Sequence, residues 1–134
     1  MILDHDLIVS NEQVVTASAA STNYIDLGEA GDAVTKELYL VVKSVDLATA
    51  SGAATVTIAL QTDDNSSFSS ATTLFTTAAI PKASLTADTA QIKVRIPLGC
   101  EQYLRLYYTV ATGPLTAGSF SGFFVMDTDH GNQL

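Results

Sequence analysis

Few residues in this 134-residue chain have the type and spacing that chemistry demands. The two histidines, His5 and His130, stand near opposite ends of the sequence inside DHD and DTDH, each flanked by aspartates. If the ends met, His5, His130, Asp4, Asp6, Asp127 and Asp129 would offer the mixed nitrogen and oxygen ligands that suit first-row divalent ions. Solvated charges near chain ends are the plainer reading. Asp63-Asp64-Asn65 gathers oxygens fit for a hard cation, but it lacks the alternate-position ligands and distal glutamate of an EF-hand loop, and turn formation accounts for it. Asn65-Ser66-Ser67 has the form of a glycosylation acceptor, which matters only on a secretory route. Cys100 lies in an acidic GCEQ context without a nearby histidine, so it reads as a small buried side chain and not as a nucleophile.

Catalytic signatures are missing from the sequence. GSFSG at 118–122 resembles a nucleophile elbow but places Phe120 where the serine would stand. There is no phosphate-cradling glycine loop and no H-E-x-x-H, and a hydrolase would have to recruit its base from His5 or His130. Neither an enzyme nor a cofactor is expected. The remaining stripe with recognition chemistry is Tyr103, Arg105 and Tyr107. Aromatic and arginine enrichment marks protein interfaces, and a strand face packed against a second sheet looks the same, so both readings stand.

These residues must be positioned by strands. The stretch 97–127 alternates apolar and polar residues on both sides of a Gly/Pro/Thr turn and reads as a strand pair. In its first half Leu104, Leu106, Tyr108 and Val110 share one face, while Tyr103, Arg105, Tyr107 and Thr109 share the other. Residues 37–47 carry apolar side chains on both faces, as a central strand would. ATVTIALQTD and QIKVRI alternate, and TTLFTTAAI is β-branched up to Pro81. TNYIDL sets Ile25 and Leu27 opposite Tyr24 and Asp26 before the GEAGDA turn, and DDNSSFSS is a turn from which Phe68 plugs the core beneath. A helical turn is allowed only around Lys82 to Asp88. The sum is an all-β, single-domain antiparallel β-sandwich, jelly-roll-like, of about eight strands. Residues 1–20 read as an N-terminal arm with an edge strand around Val14 to Ala17, and residues 21–134 as the sandwich domain.

Composition narrows the function classes. Hydrophobic residues make up 47% and charged residues 15%, with a mean hydropathy of +0.27, so part of the apolar surface is expected to meet another subunit. A net charge of −8 with six Lys+Arg leaves no basic stripe to neutralise phosphates, which argues against nucleic acid. No apolar run is long enough to span a membrane, and the acidic start MILDHDLIVS is unlike a signal peptide. One cysteine excludes an internal disulfide.

Three stretches then point to a family. NEQVVTASAASTNYIDLG, TVTIALQTDDNSSFSSATTL and PLGCEQYLRLYYTVATGPLTAGSFSGFFVMD resemble, in matching order, the Bbp16-type capsid cement proteins of tailed bacteriophages. The resemblance implies a β-sandwich decoration protein on the outer surface of the virion. Made in the host cytoplasm, it would bind the major capsid protein as a homo-oligomer (dimer or trimer) and reinforce the lattice without catalysis. No family site motif maps onto single positions, and DTDHGNQL after the last strand has no counterpart. The alternative from another class is a carbohydrate-binding jelly roll with Tyr103, Tyr107 and Tyr39 as stacking platforms, against which the lack of Trp counts.

Overall fold

Side-chain alternation decides which face of each strand turns inward. In the computed structural model, which describes residues 7–28 and 38–125, β1 (Ile8–Val14), β2 (Ala19–Ala20), β3 (Ile25–Asp26), β4 (Tyr39–Thr49) and β5 (Thr55–Asp63) make up the first half. The second half is β6 (Thr72–Thr76), β7 (Ile80–Pro81), β8 (Thr89–Arg95), β9 (Tyr103–Ala111) and β10 (Ala117–Val125). On β5, Val56, Ile58 and Leu60 are buried, while Thr55, Thr57, Ala59 and Gln61 on the other face are half-buried. β9 follows the same rule, with Leu104, Leu106 and Tyr108 inside. β4 is central and apolar on both sides: Leu40 and Val42 enter the main core, and Val41 joins Phe123 and Val125 in a second buried cluster on the opposite face.

The fold is an all-β sandwich of antiparallel sheets, with ten strands among the described residues where about eight are expected. One extra strand arises because TTLFTTAAI breaks in two. At the break the Thr77 hydroxyl, 3.1 Å away, accepts the Ile58 amide in place of a backbone carbonyl, and the ladder stops. The other arises near the N-terminus, where the strand expected at Val14 to Ala17 lies instead at Ile8–Val14. Residues 15–18 carry the chain from one sheet to the other. The Val15 amide bonds the Gly118 carbonyl on the first sheet (3.1 Å), and the Ser18 hydroxyl accepts the Val110 amide on the second (2.9 Å) before β2 begins.

One sheet has the order β1-β10-β4-β8; the other runs β2-β9-β5-β6, with β3 also on β9 and β7 also on β5. Taking β2 with β3 and β6 with β7 as interrupted single strands leaves eight positions, and their pairings have a simple logic. β5 pairs with β6 and β7, β4 with β8, β2 and β3 with β9, and β1 with β10. These are successive rungs of one long antiparallel ribbon. Rolling it brings β10 beside β4 and β9 beside β5, which is a jelly roll.

This topology corrects the reading of 97–127 as a strand pair. β9 and β10 belong to different sheets and face each other across the core. The connection arches over buried Leu115, and it turns through Thr112 and Gly113 at φ +63° and +96°, a left-handed geometry that a glycine accepts without strain. Beneath the arch the rings of Tyr108 and Phe120 stack at 5.1 Å. Gly122 of β10 lies opposite β9 so closely that a Cβ there would overlap Leu106 Cδ1. The helical turn narrows to a single 3₁₀ turn, Lys82–Ser84, and Cys100 is buried as expected.

A polar chain ties the N-terminal strand into this core. The Tyr108 hydroxyl donates to Ser10 Oγ (2.9 Å), which donates to Gln13 Oε1 (2.8 Å). Gln13 then accepts from the Thr22 amide (2.9 Å) and donates to the Ala20 carbonyl (2.9 Å). Burial pushes the Tyr108 phenol up to about 12, because the ionised form would lose its hydration. Among the described residues no buried side-chain polar atom lacks a partner, as a well-formed core requires.

Candidate functional site

Tyr103, Arg105 and Tyr107 lie on the face of β9 that turns away from the core. The second sheet therefore does not cover them, which removes the sheet-contact reading of this stripe. β5 supplies the neighbouring row: Asp63 lies opposite Tyr103, Gln61 opposite Arg105, Ala59 opposite Tyr107 and Thr57 opposite Thr109. The centre of this outer face is thus aromatic, small or amide-bearing. Arg105 is its cation.

Each member is held by a local device. Asp63 ends β5, and its carboxylate accepts the Ser70 amide (2.9 Å), the Ser70 hydroxyl (3.1 Å) and the Asp64 amide (2.7 Å), closing the loop between them. The Ser70 amide, first among these, holds the Asp63 carboxyl below its ordinary value. Within the loop Asn65 Oδ1 accepts the Ser67 amide at 2.9 Å, the Asx turn expected of DDNSSFSS. The Phe68 amide bonds the Asn65 carbonyl at 3.0 Å.

Phe68 is buried as expected, but outside the core between the sheets: the loop folds back over the outer face and sets the ring against Tyr103 (6.5 Å) and Tyr24 (6.2 Å), both edge-on. Its backbone stands at φ +53°, a conformation that costs a bulky residue about 1–3 kcal/mol and that the closed loop imposes. Tyr24 meets Tyr103 edge-on at 5.5 Å and is 49% exposed. Gln102 Nε2 donates to Asp26 Oδ1 (3.0 Å) and to the Tyr103 hydroxyl (3.2 Å), which fixes the outer end of that ring. This bond, followed by one from the Gly28 amide, lowers the Asp26 carboxyl below its usual range.

Arg105 sits at the centre. Its guanidinium carbon lies 4.4 Å from the Phe68 ring centroid and 5.5 Å from that of Tyr107, and Nε donates to Gln61 Oε1 at 2.9 Å. Two rings and one amide fix the guanidinium plane. Tyr24, Phe68, Gln61 and Gln102 were not legible as part of this site from the sequence. Tyr24 had one signal, sharing the polar side of TNYIDL with Asp26; Phe68 had another, as a lone large ring within a polar turn.

Tyr39 is elsewhere. It packs on the opposite outer face of the sandwich, beside the Val41, Phe123 and Val125 cluster and with Arg95 over its ring at 5.9 Å. Tyr39, Tyr103 and Tyr107 therefore form no common stacking platform. The cluster His5, His130, Asp4, Asp6, Asp127 and Asp129, and most of GEAGDA, lie outside the described residues. Among the described residues no group of three or more His, Cys, Asp or Glu is placed to hold a metal ion.

Fold and face together define a jelly-roll sandwich with an aromatic cluster around Arg105 on one outer face. The chain belongs to the Bbp16 family: the family model matches residues 9–124, from the second residue of β1 to the penultimate residue of β10. That membership spans the whole sandwich and is compatible with a structural protein of a phage particle. No curated protein matches the chain.

Proposed function

We propose that this chain is a cement protein of a tailed-bacteriophage head, bound to the outer surface of the virion and bridging major capsid protein subunits. The observation that carries the reading is the Bbp16 family match across the entire sandwich, residues 9–124. The physics of the chain supports it. A reinforcing protein needs a rigid body, and the two sheets enclose one continuous apolar core. It also needs contact surface, and the outer face of β5 and β9 presents half-buried aromatic rings around an arginine, the composition of interface centres. Many identical copies on a lattice gain avidity without strong single contacts, and a dimer or trimer would bridge subunits. The net charge of −8 keeps such a protein from adhering to DNA. The role is structural and involves no catalytic step.

The test is reconstitution. Purified protein added to heads that lack it binds to saturation at a fixed ratio per capsid subunit and raises the temperature at which heads release DNA. Heads that burst at the same temperature with and without bound protein would remove the reinforcing role.

A further inference from the structure

Arg105 is a cation held in place by neutral partners. Lys43 faces Asp88 at 3.7 Å, whereas Arg105 is held by Gln61, Phe68 and Tyr107, all neutral, two of them rings that fix the plane of its head group. Among the described residues no carboxylate pairs with it, although the chain carries 14 Asp+Glu against 6 Lys+Arg. The nearest acid along the facing strand, Asp63, is occupied by Ser70 and Asp64. Asp26 is likewise taken by Gln102 and Gly28. A guanidinium has five N–H donors, and the bond to Gln61 accounts for one. The other four remain on a plane that the two rings have already oriented, and a fork in that state matches a carboxylate with two parallel bonds. Phe68 adds a second sign: its left-handed backbone is the kind of local cost that persists where a side chain must be held in one place.

Resting on the capsid reading above, we infer that Arg105 is the anchor of the interface and receives an aspartate or glutamate side chain of the major capsid protein. Phe68 and Tyr107 act as the positioning residues that hold the guanidinium plane. The shell is favoured as the source of the carboxylate over a second copy of this chain, because a symmetric contact through this face would set Arg105 against a copy whose Asp63 and Asp26 carboxylates are already bonded.

The experiment measures binding of the full chain and its Arg105→Gln and Arg105→Lys variants to heads lacking the protein, at low and high salt, alongside thermal unfolding and sedimentation of each free protein. All three are expected to unfold at closely similar temperatures. Arg105→Gln weakens head binding by about 10- to 100-fold and flattens its salt dependence, and Arg105→Lys restores less than about a tenth of the loss, because a point charge cannot make the paired bonds. Glutamine binding as tightly as arginine would overturn the anchor, and full rescue by lysine would overturn the fork. Loss of self-association in Arg105→Gln with head binding intact would reassign the carboxylate to a second copy. If the unaltered chain itself leaves heads unbound, the capsid reading fails first and this inference goes with it.

Discussion

Tyr107 and Tyr108 are adjacent on β9, and the pleat sends them to opposite sides of the sheet. Tyr108 is fully buried, stacked on Phe120 and bonded to Ser10, with its phenol raised to about 12. Tyr107 is half-buried beside the Arg105 guanidinium. The inner face of β9 has every polar atom answered within the chain. The outer face has an arginine whose charge is not. One strand thus has two faces separated by a single residue, one closed within the fold and one turned outward, and the contrast can be broken from either side.

The largest effect is expected inside. Phe120→Ala removes the ring that stacks on Tyr108 between the sheets, and a buried aromatic truncated to alanine costs about 3–5 kcal/mol through lost burial and the cavity left behind. Chemical denaturation should show that loss as a lower midpoint with an unchanged slope. Next comes pH. A folded-state value of about 12 against an ordinary 10.0 means that folding favours the neutral phenol. The associated stability, on the order of 2–3 kcal/mol, is fully present below pH 10 and disappears as pH rises through 12. Unfolding temperatures at pH 9 and pH 11.5 should therefore fall further apart in the unaltered chain than in Tyr108→Phe, which has no phenol to ionise. Equal falls in both proteins would show that Tyr108 is not the group responsible.

The inner face was largely legible in the sequence because alternation is local: Leu104, Leu106 and Tyr108, or Val56, Ile58 and Leu60, announce a buried side wherever the strand lies. Pairing is not local. Nothing in residues 103–125 says that β10 must leave β9 and lie between β1 and β4, because that choice depends on the whole ribbon rolling up. The breaks were equally hidden: β6 and β7 part over residues 77–79, where the Thr77 hydroxyl takes the Ile58 amide. Of the outer face, Tyr103, Arg105 and Tyr107 could be placed on one side of a strand. Phe68 could not, because its position depends on the Asp63 carboxylate closing a loop and on a positive φ, and a large apolar residue in a polar turn points by default to the core.

Gly122→Ala tests how closely the inner face is fitted. Its new methyl would press on Leu106 Cδ1, with the Tyr108 hydroxyl at 3.5 Å and Val9 Cγ2 at 3.6 Å, so Leu106 has little room to swing aside. Overpacking of this kind costs about 1–3 kcal/mol. Pairing Gly122→Ala with Leu106→Val should recover part of the loss, since the smaller side chain makes room; purely additive losses in the double variant would place the strain elsewhere in the core.

The smallest effect on stability should come from the residue next to the most buried ring. Tyr107→Ser removes an outer ring that is half-buried and lies 5.5 Å from the Arg105 guanidinium. Its loss opens no cavity between the sheets and leaves no buried polar atom unpaired, so the change in unfolding free energy should stay under about 1 kcal/mol. What it removes is one of the two rings that hold the guanidinium plane, so head binding should weaken several-fold while the unfolding temperature hardly moves. That divergence distinguishes a presenting face from a supporting one. If Tyr107→Ser instead destabilised the fold as much as Phe120→Ala, both sides of β9 would be structural and the outer rings would be core that happens to face solvent.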